Sequence, residues 1–275
     1  MAEPKKKKIV SADTGKEVKA GSLKKKGARK EAAPVGNATG LRIGAIVLWL
    51  VAIGLEVVAV LMLNGTINIG FMSTLTQIIV ALVLDLVCVI IGSQLWKKAN
   101  HIKPASEKNK FTFWLWNNMG VIACAVAFIP FVILALTNKE ADKKTKAIAT
   151  VVAIIALLIG GVASYDFNPV SEEQQQAAMS AIADDVYWSP FGKVYHTHDD
   201  CQSLNQSDEL TYGTVEQAIA EGRTRLCAFC AKRDDISGVV TDKNVDDVEL
   251  EDVVEDAEEV LDEDVMDEES EEISE

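Results

Sequence analysis

The chain has 275 residues, room for about two domains, and a formal net charge of −14. That charge belongs to one end: residues 246–275 hold 18 acids and no Lys or Arg, so everything before them sums to +4. The acidic pI therefore describes a tail and not a surface, and no nucleic-acid partner is expected.

Residues 1–30 hold 11 Lys and Arg against three acids, a local +8. Lysines are followed by polar residues, and no apolar stretch of signal-peptide type precedes residue 41. The Lys, Ala, Gly and Ser of residues 1–40 predict a disordered basic arm. Such an arm suits anionic lipid headgroups, at about 1 kcal/mol per basic residue near the surface.

Four apolar runs follow, at 41–63, 71–96, 111–137 and 147–164. Each approaches the roughly 20 residues that cross about 30 Å of hydrocarbon. They are apolar on every face, whereas a soluble helix keeps a polar one. The expectation is a mainly α protein: a four-helix transmembrane bundle, multi-pass in the cell membrane, with the bilayer as its partner. Lysines in the connections orient it. The loop NGTINIG has none, and residues 97–110 have five. That pattern puts the N-terminus and the second loop in the cytoplasm, and four spans then put both termini there. The loop NKEADKKTK, with four lysines, conflicts with this. The rival is three spans with an exported C-terminal half.

Polar residues interrupt the spans at Glu56, Asp85, Asn117 and Asn118. Intramembrane carboxylates are functional hypotheses by default. Counted from the outer ends of their spans, Glu56 and Asp85 differ in depth by about 10 Å at 1.5 Å per residue, too far to share one ion. They serve either packing, with Asp85 bonded to Asn117 or Asn118, or a cation or proton path. Gly160, Gly161 and Ala163 suit close helix contact. Cys88 and Cys124 read as small apolar residues within spans.

Residues 165–184, beginning YDFNPVSEEQQQ, form a polar linker that suits the start of a short helix. A small α+β module follows at 185–233. Val186, Tyr187 and Trp188 suit a strand, Ser189-Pro-Phe-Gly192 a turn with Pro second and Gly fourth, and 193–196 the return strand. Thr214-Val-Glu-Gln217 fits a capping box opening a short helix, and Gly222 fits the left-handed position after it. The chain then reaches Cys227-Ala-Phe-Cys230.

Zinc takes four tetrahedral ligands from thiolate and imidazole. Cys227 and Cys230 can supply one side of the ion, and His196 and Cys201 the other. His198 is a rival for the imidazole. His196 is favoured because the hairpin fixes it, while His198 lies inside the loop. A disulfide plus a free thiol leaves an odd cysteine and gives the histidine no work. A redox Cys-x-x-Cys needs a larger α/β scaffold. Four ligands close the shell, so no position is left for a reactive water. With no nucleophile–base pair, phosphate loop or open metal position elsewhere, no enzymatic activity is expected. The module is small enough that metal should drive its folding.

VYWSPFGKVYHTHDDCQSL followed by EQAIAEGRTRLCAFC resembles the small Ada-type metal-binding modules, of the form Gly-Lys-x-Tyr-His, Cys, Leu, then a helix and Cys-x-x-Cys. Such modules are appended to bacterial secreted nucleases, competence proteins and membrane proteins. The matching residues are Gly192, Lys193, Tyr195, His196, Cys201, Leu204, Ala218, Gly222, Cys227 and Cys230. The likeness spans only 186–230. It implies zinc held by the one His and three Cys in a bacterial membrane protein. The DNA-repair relative's methyl-acceptor cysteine belongs to a four-cysteine shell that this sequence does not reproduce, so that activity is not implied.

The acidic tail, 234–275, carries Leu250, Val253, Val254, Ala257, Val260 and Leu261 at helical spacing. A solvated, mostly disordered tail is expected. The alternatives are an amphipathic helix that meets a protein partner, and a self-contact with the basic arm, loose because screening acts over about 8 Å. Together these features predict an integral membrane protein with a structural zinc-binding appendage, acting as a non-enzymatic scaffold or sensor. The alternative is a small cation- or proton-coupled transporter using Glu56 and Asp85.

Overall fold

The structure, a computed structural model, describes residues 7–18 and 35–247. It divides into two compact units, Pro34–Glu173 and Met1–Ala33 with Gln174–Glu275.

The first unit is built on α1 (Ala38–Leu63), α2 (Thr74–Ile102), α3 (Lys110–Thr137) and α4 (Lys143–Ser164). Each begins at a side-chain cap. Asn37, Ser73, Asn109 and Asp142 accept from the N–H groups of Gly40, Thr76, Thr112, and Lys144 with Thr145. First-turn N–H groups have no partner within their own helix, and the caps supply one. Capping also explains where the observed ends depart from the apolar runs. Ser73 starts α2 at Thr74, so Phe71 and Met72 belong to the connection despite their apolarity. Asp142 starts α4 at Lys143, and its lysine-rich first turn is invisible to a hydropathy reading.

All four helices are long and apolar enough to cross a membrane. Only 33–39% of each apolar window is buried inside the unit. The remainder, including Val47, Leu50, Val83, Ile133, Leu158 and Val162, faces outward. In water such a surface costs roughly 25 cal/mol per Å²; in hydrocarbon it costs nothing. This is the surface of a membrane protein. Inside, Leu82, Val89, Cys124, Phe128, Phe131 and Ala153 form the core. The helices meet closely at glycine: a Cβ on Gly120 would lie 2.8 Å from Ser93 Oγ, and one on Gly160 2.7 Å from Cys124 Sγ. Gly161, expected to serve the same purpose, faces open space.

The Arg42 guanidinium lies 4.7 Å from the Trp116 ring centroid and 5.8 Å from that of Trp96. It also donates to Lys103 O at 2.8 Å. Trp96 Nε1 and Asn100 Nδ2 both donate to Trp116 O. The clasp joins three helices at one end, where the guanidinium lies over aromatic rings and still donates to Asn100 Oδ1 and Lys103 O.

Beyond α4, Asp166 accepts from His101 Nε2 at 2.9 Å and from the Asn168 N–H at 3.0 Å. Burial opposes its charge, but the His101 contact, Asn168 and the Lys97 charge outweigh this and hold the carboxyl below the usual range. A depressed folded-state pKa contributes stability above the unfolded value, about 3.9, and loses it as pH falls through the folded one. Asp166→Asn should lower unfolding stability at neutral pH by about 1.5–3 kcal/mol. The gap should close below about pH 3.9, as read by thermal unfolding in detergent across pH.

The second unit contains β1 (Lys8–Ser11), β2 (Glu17–Val18), most of α5 (Glu172–Ala181), β3 (Val186–Trp188), β4 (Val194–Tyr195), β5 (Glu209–Gly213), α6 (Val215–Ala220), β6 (Arg225–Leu226) and α7 (Ala228–Arg233). One sheet has the order β2-β1-β5-β3, and β4 pairs with β6 in a second. The expectation of a disordered N-terminal arm is corrected here for residues 7–18. They form a hairpin, closed by Gly15 at φ +63°, whose N–H donates to Ser11 O. β1 then pairs in parallel with β5, from Lys8 opposite Glu209 to Ser11 opposite Tyr212. The hydrogen bonds of a distant strand override the local basic composition. At the arm's other end residues 38–40 already belong to α1; the stretches 1–6 and 19–34 lie outside the described residues.

The other end is corrected too. The module does not stop at residue 233: Leu226 N–H donates to Val240 O and Asp242 N–H to Leu226 O, so residues 240–242 close over β6. The expected disorder or helix of the acidic tail beyond residue 247, with Leu250 through Leu261, lies outside the described residues. Trp188 anchors the unit's core, fully buried, with Nε1 donating to Glu221 at 2.9 Å.

Candidate metal centre

β3 and the return strand meet as a narrow pair. Tyr187 and His196 exchange both backbone hydrogen bonds at 2.7 Å. That exchange fixes the backbone of His196, a residue only 2% exposed. Tyr195 O, one residue before, accepts from the Cys227 N–H at 2.9 Å. β4 and β6 run parallel, so His196 and Cys227 leave neighbouring strand ends on the same side. Cys227 is the N-cap of α7 and Cys230 sits in its first turn, which turns both sulfurs to one place. Cys201 comes from the start of a short 3-10 turn, Gln202–Leu204.

The result is a cluster of His196, Cys201, Cys227 and Cys230, all buried, whose ligand atoms lie within 4.8 Å of one another. Cys201 Sγ is 3.9 Å from Cys227 Sγ, and Cys230 Sγ is 3.8 Å from His196 Nδ1. All three cysteines are free thiols, with no disulfide among the described residues. The donor set is close enough to hold a metal ion.

His198 is not among the four. Its Nε2 meets Asp234 Oδ1 at 2.7 Å, and Asp234 also accepts from Thr197 Oγ1. Arg233 forks onto Asp200 at 2.9 and 3.3 Å. Both contacts tie the loop between His196 and Cys201 to the end of α7. They explain why His198, two residues past the strand pair, points away from the sulfurs. Asp242 Oδ1 accepts the Ala228 N–H at 2.8 Å and caps α7 from 14 residues downstream. Neither Asp234 nor Asp242 carried a local signal in the sequence.

Burial opposes charge on His196, but hydrogen bonding to Cys201 and Cys227 outweighs it and pushes its pKa up to about 9. Contacts from Cys201 and Cys230 pull the Cys227 thiol down, while Cys201 and Cys227 push Cys230 up. Without an ion, the cluster shares protons among sulfur and ring. An ion displaces them, so affinity falls as acidity rises.

Among the described residues no hydrogen bond joins the intramembrane Glu56, Asp85, Asn117 and Asn118 to one another. Glu56, 6% exposed, accepts from the Phe131 N–H through Oε1 at 2.9 Å, beside Pro130, which has no N–H to offer. The expected bond from Asp85 to Asn117 or Asn118 is absent. Asn117 Nδ2 donates to Phe113 O and Asn118 Nδ2 to Trp114 O, each one turn back in its own helix. Both asparagines stand near the start of α3, while Asp85 stands near the middle of α2. Asp85 is fully buried, and neither carboxyl oxygen has a hydrogen-bond partner among the described residues. Because α2 begins at Thr74, the depth offset between Glu56 and Asp85 shrinks to about 6 Å.

No family model, curated protein or solved structure matches the chain.

Proposed function

We propose that the chain is a multi-pass membrane protein whose aqueous module holds one structural zinc ion and acts as a non-enzymatic scaffold or sensor. The observation that carries this reading is the buried set of three thiols and one imidazole within 4.8 Å. Soft thiolates with imidazole in a four-ligand set favour zinc over hard cations. A closed shell leaves no coordination position for water or substrate, so no catalytic role is proposed. The resemblance of 186–230 to Ada-type modules supports the same ligand set and a bacterial host. Partners proposed are the bilayer, anionic lipid for the basic arm and a protein for the acidic tail.

The pairing of β1 with β5 also favours both ends on one side of the membrane. Strands cannot hydrogen-bond across a bilayer, so this pairing supports an even number of crossings between residues 18 and 186. Four spans satisfy this and three do not. The lysines before α1 and between α2 and α3 then favour the cytoplasm for both termini. Free thiols suit that reducing compartment.

A second reading, a cation- or proton-coupled transporter, is favoured by the unpartnered carboxyl of Asp85. Liposome flux that is absent, or unchanged in Asp85→Asn, would remove it.

The test of the first reading is metal content of the purified full-length chain. About one zinc per chain is expected for the wild type and for His198→Ala, and a large loss for His196→Ala. Equal loss in both variants, or no bound zinc in the wild type, refutes it.

A further inference from the structure

Residues 7–13 grip the second unit as a bound peptide grips its receptor. Lys8 and Ala12 donate from the backbone to Asp208 O at 2.9 Å and Tyr212 O at 2.8 Å, along one edge of β5. Ile9 is the single buried anchor, 2% exposed, in register with the fully buried Leu210. Polar contacts flank it. Lys7 Nζ donates to Asp199 O at 3.0 Å, Lys8 Nζ lies 3.5 Å from Glu209, and Asp13 accepts from Gln217 Nε2. β2 joins the sheet only through β1. On its other edge β5 keeps β3, paired from Val186 opposite Gly213 to Trp188 opposite Thr211. Withdrawing the hairpin therefore leaves the rest of the sheet intact and uncovers one strand edge. A backbone ladder, one aliphatic pocket and charged flanks are the recognition chemistry of strand addition. An uncovered edge of this kind readily accepts another strand.

We propose that the β5 edge is a peptide-binding edge and that the chain's own residues 7–13 are its reversible, resident ligand. The ligand it takes is an extended strand, parallel to β5, with a basic residue opposite Glu209, an aliphatic residue opposite Leu210 and an acid four positions on to meet Gln217. The proposal does not depend on which ion, if any, the four ligands hold.

A fluorescent synthetic peptide of residues 7–18 is titrated against three full-membrane-domain proteins in detergent: the wild type, Ile9→Asp, and a chain lacking residues 2–18. The two altered chains should bind it, and the wild type at least about tenfold more weakly, because its tethered strand competes at an effective concentration of order mM. A peptide carrying Ile9→Asp should bind none of them. Helical circular dichroism and metal content report folding separately, so a failure of the zinc reading stays distinguishable. If the deletion does not fold, Ile9→Asp in the intact chain decides. Folded Ile9→Asp that binds no peptide, equal binding by wild type and Ile9→Asp, or undiminished binding of the Ile9→Asp peptide each overturns the proposal.

Discussion

On the proposed zinc reading, chelation of the intact chain should unfold the module and leave the apolar helices formed. Structural zinc in small fingers contributes about 10–16 kcal/mol of apparent binding free energy that is also folding free energy. Here the four ligands come from the ends of β4 and β6, a 3-10 turn and α7, and all four are buried. Without an ion they leave polar groups of opposed proton demand buried in a module whose core also holds Trp188, Tyr195 and Leu226. Amide exchange followed by mass spectrometry should lose protection at 194–204 and 225–233 on chelation and regain it when zinc is returned. Cys227→Ser should act in the same direction. Unchanged protection after verified metal loss, or a native Cys227–Cys230 disulfide, counts against the structural role.

Glu56→Ala is the second large effect. It removes the acceptor of the Phe131 N–H and opens space between α1 and α3. An unsatisfied buried donor costs about 1–3 kcal/mol, and a large-to-small change in a core adds a cavity cost, so a total of about 2–4 kcal/mol is expected. Glu56→Gln keeps an acceptor oxygen and most of the volume, and should recover more than half of the loss. Thermal unfolding of both variants in one detergent separates them. Equal loss in both would mean that the charge, and not the hydrogen bond, is what α3 requires.

Parts of this protein are written locally and parts are not. The helices announce themselves because hydrocarbon demands long apolar runs, and a capping box such as Thr214–Gln217 is a property of four residues. The candidate metal ligands stand out because Cys and His are rare and their spacing is chemical. β1 and β5 give no comparable signal. Lys-Ile-Val-Ser is short, sits in a lysine-rich stretch, and becomes a strand only by meeting Leu210 and its neighbours two hundred residues away. The Asp-Thr-Gly of residues 13–15 was the available clue to its turn. Asp85 shows the reverse limit. Its polarity was plain, but its lack of a partner depends on how far α2 extends beyond the apolar run.

The register of Lys8 opposite Glu209 also sets a schedule for biosynthesis. At about 5–20 residues per second, the first strand leaves the ribosome on the order of 10–40 s before its neighbour exists. Four helices have to be inserted in the interval, so sheet closure comes among the last events. Nascent chains halted before residue 209 should therefore present an N-terminal end that proteases still cut.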